Sequence, residues 1–153
     1  MTDIRVPLGG LKFSVRVAIL CTRGDRLLTN SADGLPFHFL PGGALGTDED
    51  TLDCARREWH EETGVVPGPL RLVGVIENFF GPPEKRQHEI GFYYRMDAPT
   101  ALPDTPFTVA DNAEVTCQWV PIEEFAATPI YPLVARSLLD VPEGEVRHVI
   151  NRE

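Results

Sequence analysis

Three glutamates lie within five positions of the segment REWHEETGV, residues 57–65. On a helix that advances about 100° per residue, Glu58, Glu61 and Glu62 share one face. Crowded carboxylates of this kind oppose helix formation and favour one another's protonation. A divalent cation relieves both effects, and Mg²⁺ or Mn²⁺ prefers such hard oxygen ligands. The spacing therefore predicts a metal-binding face, with a solvated acidic face as the alternative.

The wider segment, residues 43–65, has glycine, arginine and glutamate residues at fixed intervals around this cluster. The fixed positions are Gly43, Glu49, Arg57, Glu58, Glu61, Glu62 and Gly64. This pattern resembles the Nudix box, the signature of the Nudix (MutT-like) hydrolase family. Trp59 stands where the family prefers an aliphatic residue, and because this position is expected to pack on the sheet, the departure concerns the core. The flanking segments FLPGG (39–43) and WVPIEEF (119–125) also resemble the family, so the resemblance spans most of the chain.

The resemblance implies cleavage of a nucleoside diphosphate that is linked to a variable group X. Water attacks a phosphorus atom of the diphosphate, and bound metal ions neutralise the anion and activate the water. The family pattern implies Mg²⁺, with Mn²⁺ as an alternative. Its implied ligands are Glu58, Glu61 and Glu62, with the carbonyl oxygen of Gly42 as a further one.

The other positions of the box have supporting roles by the same resemblance. Arg57 is expected to orient the glutamates through charge-assisted hydrogen bonds. Glu49 either pairs with Arg57 or reaches the metal through water, and a plain surface ion pair is the alternative. Gly43 lets the backbone approach a metal or phosphate closely, and Gly64 is expected to end the helix.

The general base has two candidates. In the family the base often comes from a loop ahead of a late, tryptophan-bearing strand, and Glu114 in DNAEVTCQW matches that position. Glu61 is the alternative base. For Glu114 itself, the other interpretation is an ordinary solvated loop residue.

Four residues are candidates for substrate binding. Arg16 lies mid-strand, and an arginine on the concave side of a sheet suits a phosphate. Arg86 and His88 belong to a local positive cluster that would meet a terminal phosphate or ribose. Phe79 would stack on a base, although aromatic residues in strands are more often part of the core. For X, an ADP-ribose-like group, a nucleoside triphosphate and a dinucleoside polyphosphate all stay open.

The elements that must position these residues alternate between strands and one acidic helix. The helix is expected to begin near Asp48, with Thr47 as its N-cap, and to end at Gly64. A second, amphipathic helix is expected at the C-terminal side, over residues 132–140. Strands are predicted over residues 12–20, 26–30, 37–40, 69–80, 88–96 and 115–122. We therefore expect an α/β protein, and by resemblance the Nudix fold, an α/β/α sandwich around a mixed β-sheet that forms one domain over residues 1–153.

Composition limits the partners. The chain of 153 residues has a formal net charge of −9 and no basic run, which argues against a duplex DNA partner. An anionic ligand would need a cation to mediate its contact. No segment has the pattern of a signal peptide or is long and apolar enough to span a bilayer, so no membrane partner is expected. The three cysteines indicate reduced thiols in a cytoplasmic protein. A homodimer is an open alternative, since dimers are common in the family.

Three classes of function compete at this point. The first is a Mg²⁺-dependent nucleotide pyrophosphohydrolase, and the second is a non-catalytic nucleotide-sensing module on the same fold. The third is an acidic α/β domain that binds no metal. Sensing modules usually lose glutamates of the box, so the intact box of this chain favours the enzyme.

Overall fold

A mixed β-sheet of eleven strands forms the framework of the computed structural model, which describes residues 1–125 and 127–153. The strands are β1 (Arg5–Leu8), β2 (Leu11–Arg23), β3 (Arg26–Ala32), β4 (His38–Phe39), β5 (Gly42–Ala44), β6 (Arg71–Phe80), β7 (Gln87–Asp97), β8 (Phe107–Val109), β9 (Asn112–Pro121), β10 (Ile130–Tyr131) and β11 (Arg147–Arg152). The α-helix of the described residues, α1, spans Thr51–Thr63. The expected α/β class with a mixed sheet is confirmed.

Strand β2 organises the sheet because its 13 residues are long enough to pair with several partners. It runs parallel to β7 and antiparallel to β1, β3 and β5. The main path through the sheet is β10-β4-β3-β2-β7-β6-β11, and β9 pairs with β3 and β8. The short strand β5, which carries the glycine pair, is thereby fixed beside the middle of β2.

The two faces of the sheet are covered differently. Helix α1 packs on one face through Cys54, Ala55 and Trp59, all of which are fully buried. The opposite face is covered by a short 3-10 helix, Leu133–Leu138, where an amphipathic α-helix was expected over 132–140. Arginine side chains of the sheet bind the carbonyl oxygens that follow this 3-10 helix. Arg95 donates to the carbonyl of Leu139, and Arg71 donates to that of Val141 at 3.1 Å.

The helix starts later than the sequence predicts. Its N-cap is Asp50, whose side chain accepts a hydrogen bond from the backbone N–H of Asp53 at 2.8 Å. Thr47 instead pairs with Thr2, accepting a bond from its backbone N–H at 3.1 Å, and Asp48 adopts a left-handed conformation with φ of 61°. The C-terminal end agrees with the prediction, since Gly64 has φ of 69° and caps the helix.

Three further features bear on the expectations from composition. Cys21, Cys54 and Cys117 are all buried as free thiols. In the part of the chain that the structure describes, no helix combines the length and apolar character needed to cross a membrane. Strands β1, β5, β8, β10 and β11 were not predicted, because most of them have only two to four residues and show no alternation.

Candidate metal and phosphate site

Two of the three glutamates of α1 are pressed against the glycine pair of β5. The carboxyl group of Glu58 lies so close to Gly43 that an added Cβ would be 2.4 Å from the Glu58 Cδ atom. The Oε1 atom of Glu62 accepts a hydrogen bond from the backbone N–H of Gly42 at 3.4 Å. Gly42 itself has φ of 145°, and a Cβ there would meet the carbonyl oxygen of Val17 at 2.1 Å. Gly43 is therefore required for Glu58 to approach this strand, and Gly42 is required for β5 to lie so close to β2.

Glu62 is a buried carboxylate with an unsatisfied oxygen. The residue is 8% exposed, and in the described part of the chain its Oε2 atom has no hydrogen-bond partner. Burial raises the pKa of Glu62 to about 8, and the neighbouring charges of Glu58 and Asp111 act in the same direction. Burial also raises the pKa of Glu58. An orphaned carboxylate oxygen in the interior is unfavourable unless a cation or donor pairs with it.

Arg57 forms hydrogen bonds with several carboxylates of the acidic cluster. Its Nε and Nη2 atoms donate to the two carboxylate oxygens of Glu49 at 2.7 and 3.0 Å. This hydrogen-bonded pair lowers the pKa of Glu49 to about 2. The remaining Nη1 atom donates to Glu58 Oε1 at 3.1 Å and to both oxygens of Glu61 at 3.3 Å. Arg57 thus contacts three carboxylates at once, which is the arrangement that an orienting residue needs.

The donor set fits a hydrated hard cation better than a fully enclosed one. Among the described residues, no group of three or more His, Cys, Asp or Glu side chains is arranged so that it could hold a metal ion by itself. Glu61 is 43% exposed at its side chain and shares Arg57 with Glu58. Within the described ranges, the Oε2 atom of Glu62 has no hydrogen-bond partner, and the bond from Arg57 to Glu58 reaches only its Oε1 atom. Mg²⁺ commonly binds through one or two carboxylates while keeping waters and phosphate oxygens, so these residues suit it.

The turn between β8 and β9 places Asp111 beside the site, whereas the sequence pointed to Glu114. Glu114 is exposed near the start of β9. Asp111 instead lines a cavity of about 280 Å³ together with Glu62 and Phe39. The turn is anchored there because Ala110 donates its N–H to the carbonyl oxygen of Glu62 at 2.7 Å. Sequence reasoning missed Asp111, although it lies only three positions before Glu114 in a polar turn.

The predicted substrate residues separate into two groups. Arg16 is half-buried on β2 and lines two cavities near the glycine pair. Phe79 and His88 stack on each other with ring centroids 4.5 Å apart, and Arg152 covers the Phe79 ring at 4.2 Å. Arg86 donates to the carbonyl oxygen of Gly81 at 2.8 Å, within its own loop. The structure therefore brings Arg16 close to the acidic cluster and gives the other three residues partners of their own.

An aromatic cavity of about 280 Å³ lies next to Arg16. Its aromatic lining comes from β4 and the residue before it, from β6 and from β10, and consists of Phe37, Phe39, Phe80 and Tyr131. Two buried polar side chains, Asn78 and Glu89, also reach this cavity. Because Phe39 also lines the cavity that contains Glu62, the aromatic cavity adjoins the acidic cluster. The alternating pattern FHF is the signal that would have pointed to the first two aromatic residues.

Comparison with known proteins identifies the family that the sequence pattern resembles. Residues 12–140 match the model of the NUDIX domain family. A diphosphoinositol polyphosphate phosphohydrolase 2 of Rattus norvegicus is 30% identical over 116 residues, covering 73% of this chain and 60% of that protein. An m7GpppN-mRNA hydrolase of Danio rerio is 32% identical over 125 residues, covering 72% of this chain and 42% of that protein.

Solved structures share the fold. The MutT protein of Bacillus halodurans superposes with a TM-score of 0.68 at 15% identity, covering 90% of this chain and 89% of that one. At this level of identity the likeness concerns the fold. The chain spans 60% or less of the two curated relatives named above, so their activities do not transfer with the fold.

Proposed function

The chain belongs to the Nudix hydrolase family, and we propose that it is a divalent-metal-dependent pyrophosphohydrolase that cleaves a nucleoside diphosphate linked to X. One observation carries this proposal: Glu58 and Glu62 meet the Gly42–Gly43 pair, and a buried oxygen of Glu62 has no partner among the described residues. A carboxylate in that state is poised to take a cation. A sensing module would not need to retain it.

Each residue of the site has a separate role in this proposal. When bound, Mg²⁺ or Mn²⁺ neutralises the diphosphate and makes a water molecule more acidic. Glu58 and Glu62, with the Gly42 carbonyl as a further candidate, would hold that ion. Arg57 keeps Glu58 and Glu61 oriented through its Nη1 atom. The attacking water needs a base within reach, and Glu61, Glu114 and now Asp111 are the candidates.

The aromatic cavity supports a nucleoside as one half of the substrate. Its aromatic side chains offer a face on which a base can stack, and Asn78 and Glu89 offer hydrogen-bonding groups for its edge. A diphosphoinositol polyphosphate is the second candidate substrate, because a protein named for that substrate is 30% identical. An inositol ring has no base to stack, so the aromatic cavity favours the nucleotide.

Product analysis tests the proposal. The protein is incubated with Mg²⁺ or Mn²⁺ and a panel that contains ADP-ribose, deoxynucleoside triphosphates, diadenosine polyphosphates, a cap analogue and a diphosphoinositol polyphosphate. Chromatography is expected to show a nucleoside monophosphate from one preferred nucleotide. Release of phosphate from the inositol compound alone would move the assignment to the second candidate. Metal binding without cleavage of any compound would favour the sensing module.

The raised pKa of Glu62 predicts a pH-dependent response to metal. In the metal-free protein Glu62 keeps its proton up to about pH 8, whereas the unfolded chain loses it near 4.5. Folding therefore takes up a proton between these values, and Glu62 subtracts stability as pH rises through that range. A metal must displace the same proton. We expect Mn²⁺ to raise Tm more at about pH 8.5 than at about pH 6, and equal shifts at both values would contradict this.

The identity of the general base is also open to a direct test. We expect Asp111→Asn to lower kcat by about 10²-fold or more, and Glu114→Gln to change it less than about threefold. Both residues are exposed, but Asp111 lines the cavity that contains Glu62 and Glu114 does not. The measurement is kcat at saturating substrate across a pH series. The reverse order of effects would return the role to Glu114. Small effects from both would leave Glu61 as the base.

A further inference from the structure

A third cavity, of about 240 Å³, is lined by residues of β5 and of the N-terminal half of β2. Gly43 and Ala44 form part of its wall. Arg5, Lys12 and Arg16 bring three positive charges to the same cavity. We call this cavity, defined by these five residues, the basic cleft. Neither Arg5 nor Lys12 was recognised from the sequence, because they lie on two different strands that only the β1–β2 pairing brings together.

The described residues balance the positive charges of the basic cleft only in part. In the parts of the chain that are described, none of its three cations has a carboxylate within the 4.0 Å of an ion pair. The carboxylate that lines the cleft, Glu89, is 9% exposed and feels the charges of all three cations. Three positive charges against one negative charge leave the cleft positive in a protein of net charge −9. Cations gathered around a cavity in this way attract an anion.

The basic cleft and the acidic cluster share a wall. Gly43 lines the cleft and also contacts the carboxyl group of Glu58. Arg16 lines both the basic cleft and the aromatic cavity. A substrate whose base occupies the aromatic cavity and whose diphosphate lies at the glutamates would therefore reach the cleft with its far end.

We propose that the basic cleft binds a phosphate group of X, so that the preferred substrate carries at least one phosphate beyond the two of the cleaved bridge. The choice of substrate rests on the proposed function, whereas the anion site itself does not. Guanidinium and ammonium groups both bind phosphate well, and arginine does so with two parallel hydrogen bonds. Nucleoside triphosphates meet this requirement and ADP-ribose does not.

Binding of inorganic tripolyphosphate to the full chain tests the anion site without catalysis. The titration is performed in EDTA at low ionic strength, so that no metal contributes. We expect the parent protein to bind and Lys12→Met to weaken binding about tenfold, the loss typical of one charge-assisted contact. Lys12 is exposed, so the variant should fold, and its Tm is measured alongside. The matched control is Arg136→Gln, which removes one positive charge from an exposed residue of the 3-10 helix.

The outcomes separate this inference from the proposed function. No binding to the parent protein, or equal weakening by Lys12→Met and Arg136→Gln, would overturn the anion site. With Mg²⁺ present, Lys12→Met is expected to lower the ratio of kcat/KM for a nucleoside triphosphate over ADP-ribose by about tenfold. An unchanged ratio would overturn the assignment of X. Failure to cleave any nucleotide would refute the proposed function, while tripolyphosphate binding would still support the cleft.

Discussion

Replacing Glu62 with glutamine is expected to reduce kcat/KM on the order of 10³-fold, while the metal-free variant stays at least as stable as the parent. The activity falls because a metal ligand contributes several kcal/mol of transition-state stabilisation, and an amide cannot replace the charge. The stability does not fall because the carboxylate is 8% exposed and one of its oxygens has no partner. Near pH 8, where Glu62 begins to ionise, glutamine also removes the cost of forming a buried charge.

The measurement combines steady-state kinetics with thermal unfolding in EDTA near pH 8. Glu124→Gln is the matched control, since it removes the same charge from an exposed residue outside the site. A Glu62→Gln protein with parent-like kcat/KM would refute the metal-ligand role. A variant that unfolds at a much lower temperature without metal would show instead that Glu62 stabilises the fold.

The acidic helix could be predicted from the sequence because its determinants are local. The face shared by the glutamates follows from helical periodicity, and Gly64 ends the helix through its own conformation. The start was misplaced for a physical reason that lies elsewhere in the chain. Thr47 has the right chemistry for an N-cap, but its hydroxyl is engaged by Thr2, 45 residues away in sequence. Local patterns contain no information on that contact.

The substrate side of the site depended on strand register, which the sequence does not specify. Phe79 and Phe80 are adjacent, so one faces each side of the sheet, and a shift of one residue exchanges them. The observed register of β6, with its irregularity between Leu72 and Gly74, turns Phe80 to the aromatic cavity and Phe79 to His88. Asp111 was missed for a related reason, since its place beside Glu62 follows from pairings among β3, β8 and β9.

Replacing Arg57 with alanine is expected to destabilise the protein by about 3 kcal/mol and to lower Tm by roughly 10 °C. The side chain is 25% exposed and that of Glu49 is 9% exposed, so the pair is largely withdrawn from water. Without Arg57, the carboxylate of Glu49 remains buried with the Gly46 N–H, at 3.0 Å, and the Cys54 thiol as uncharged donors. Arg56→Ala is the matched control on the same helix, because its ion pair with Asp53 is exposed and should contribute less than about 1 kcal/mol.

The pH dependence of the loss identifies its cause. The pKa of Glu49 is about 2 in the folded protein, below its ordinary value of 4.5. The pair therefore stabilises the parent above about pH 4.5, and that contribution is lost as pH falls toward 2. The difference in unfolding free energy between the parent and Arg57→Ala should accordingly shrink below pH 4.5. If the unpaired carboxylate is responsible, adding Glu49→Gln to Arg57→Ala should recover much of the stability at neutral pH. The activity should not recover, because Glu58 and Glu61 would still lack the donor that orients them.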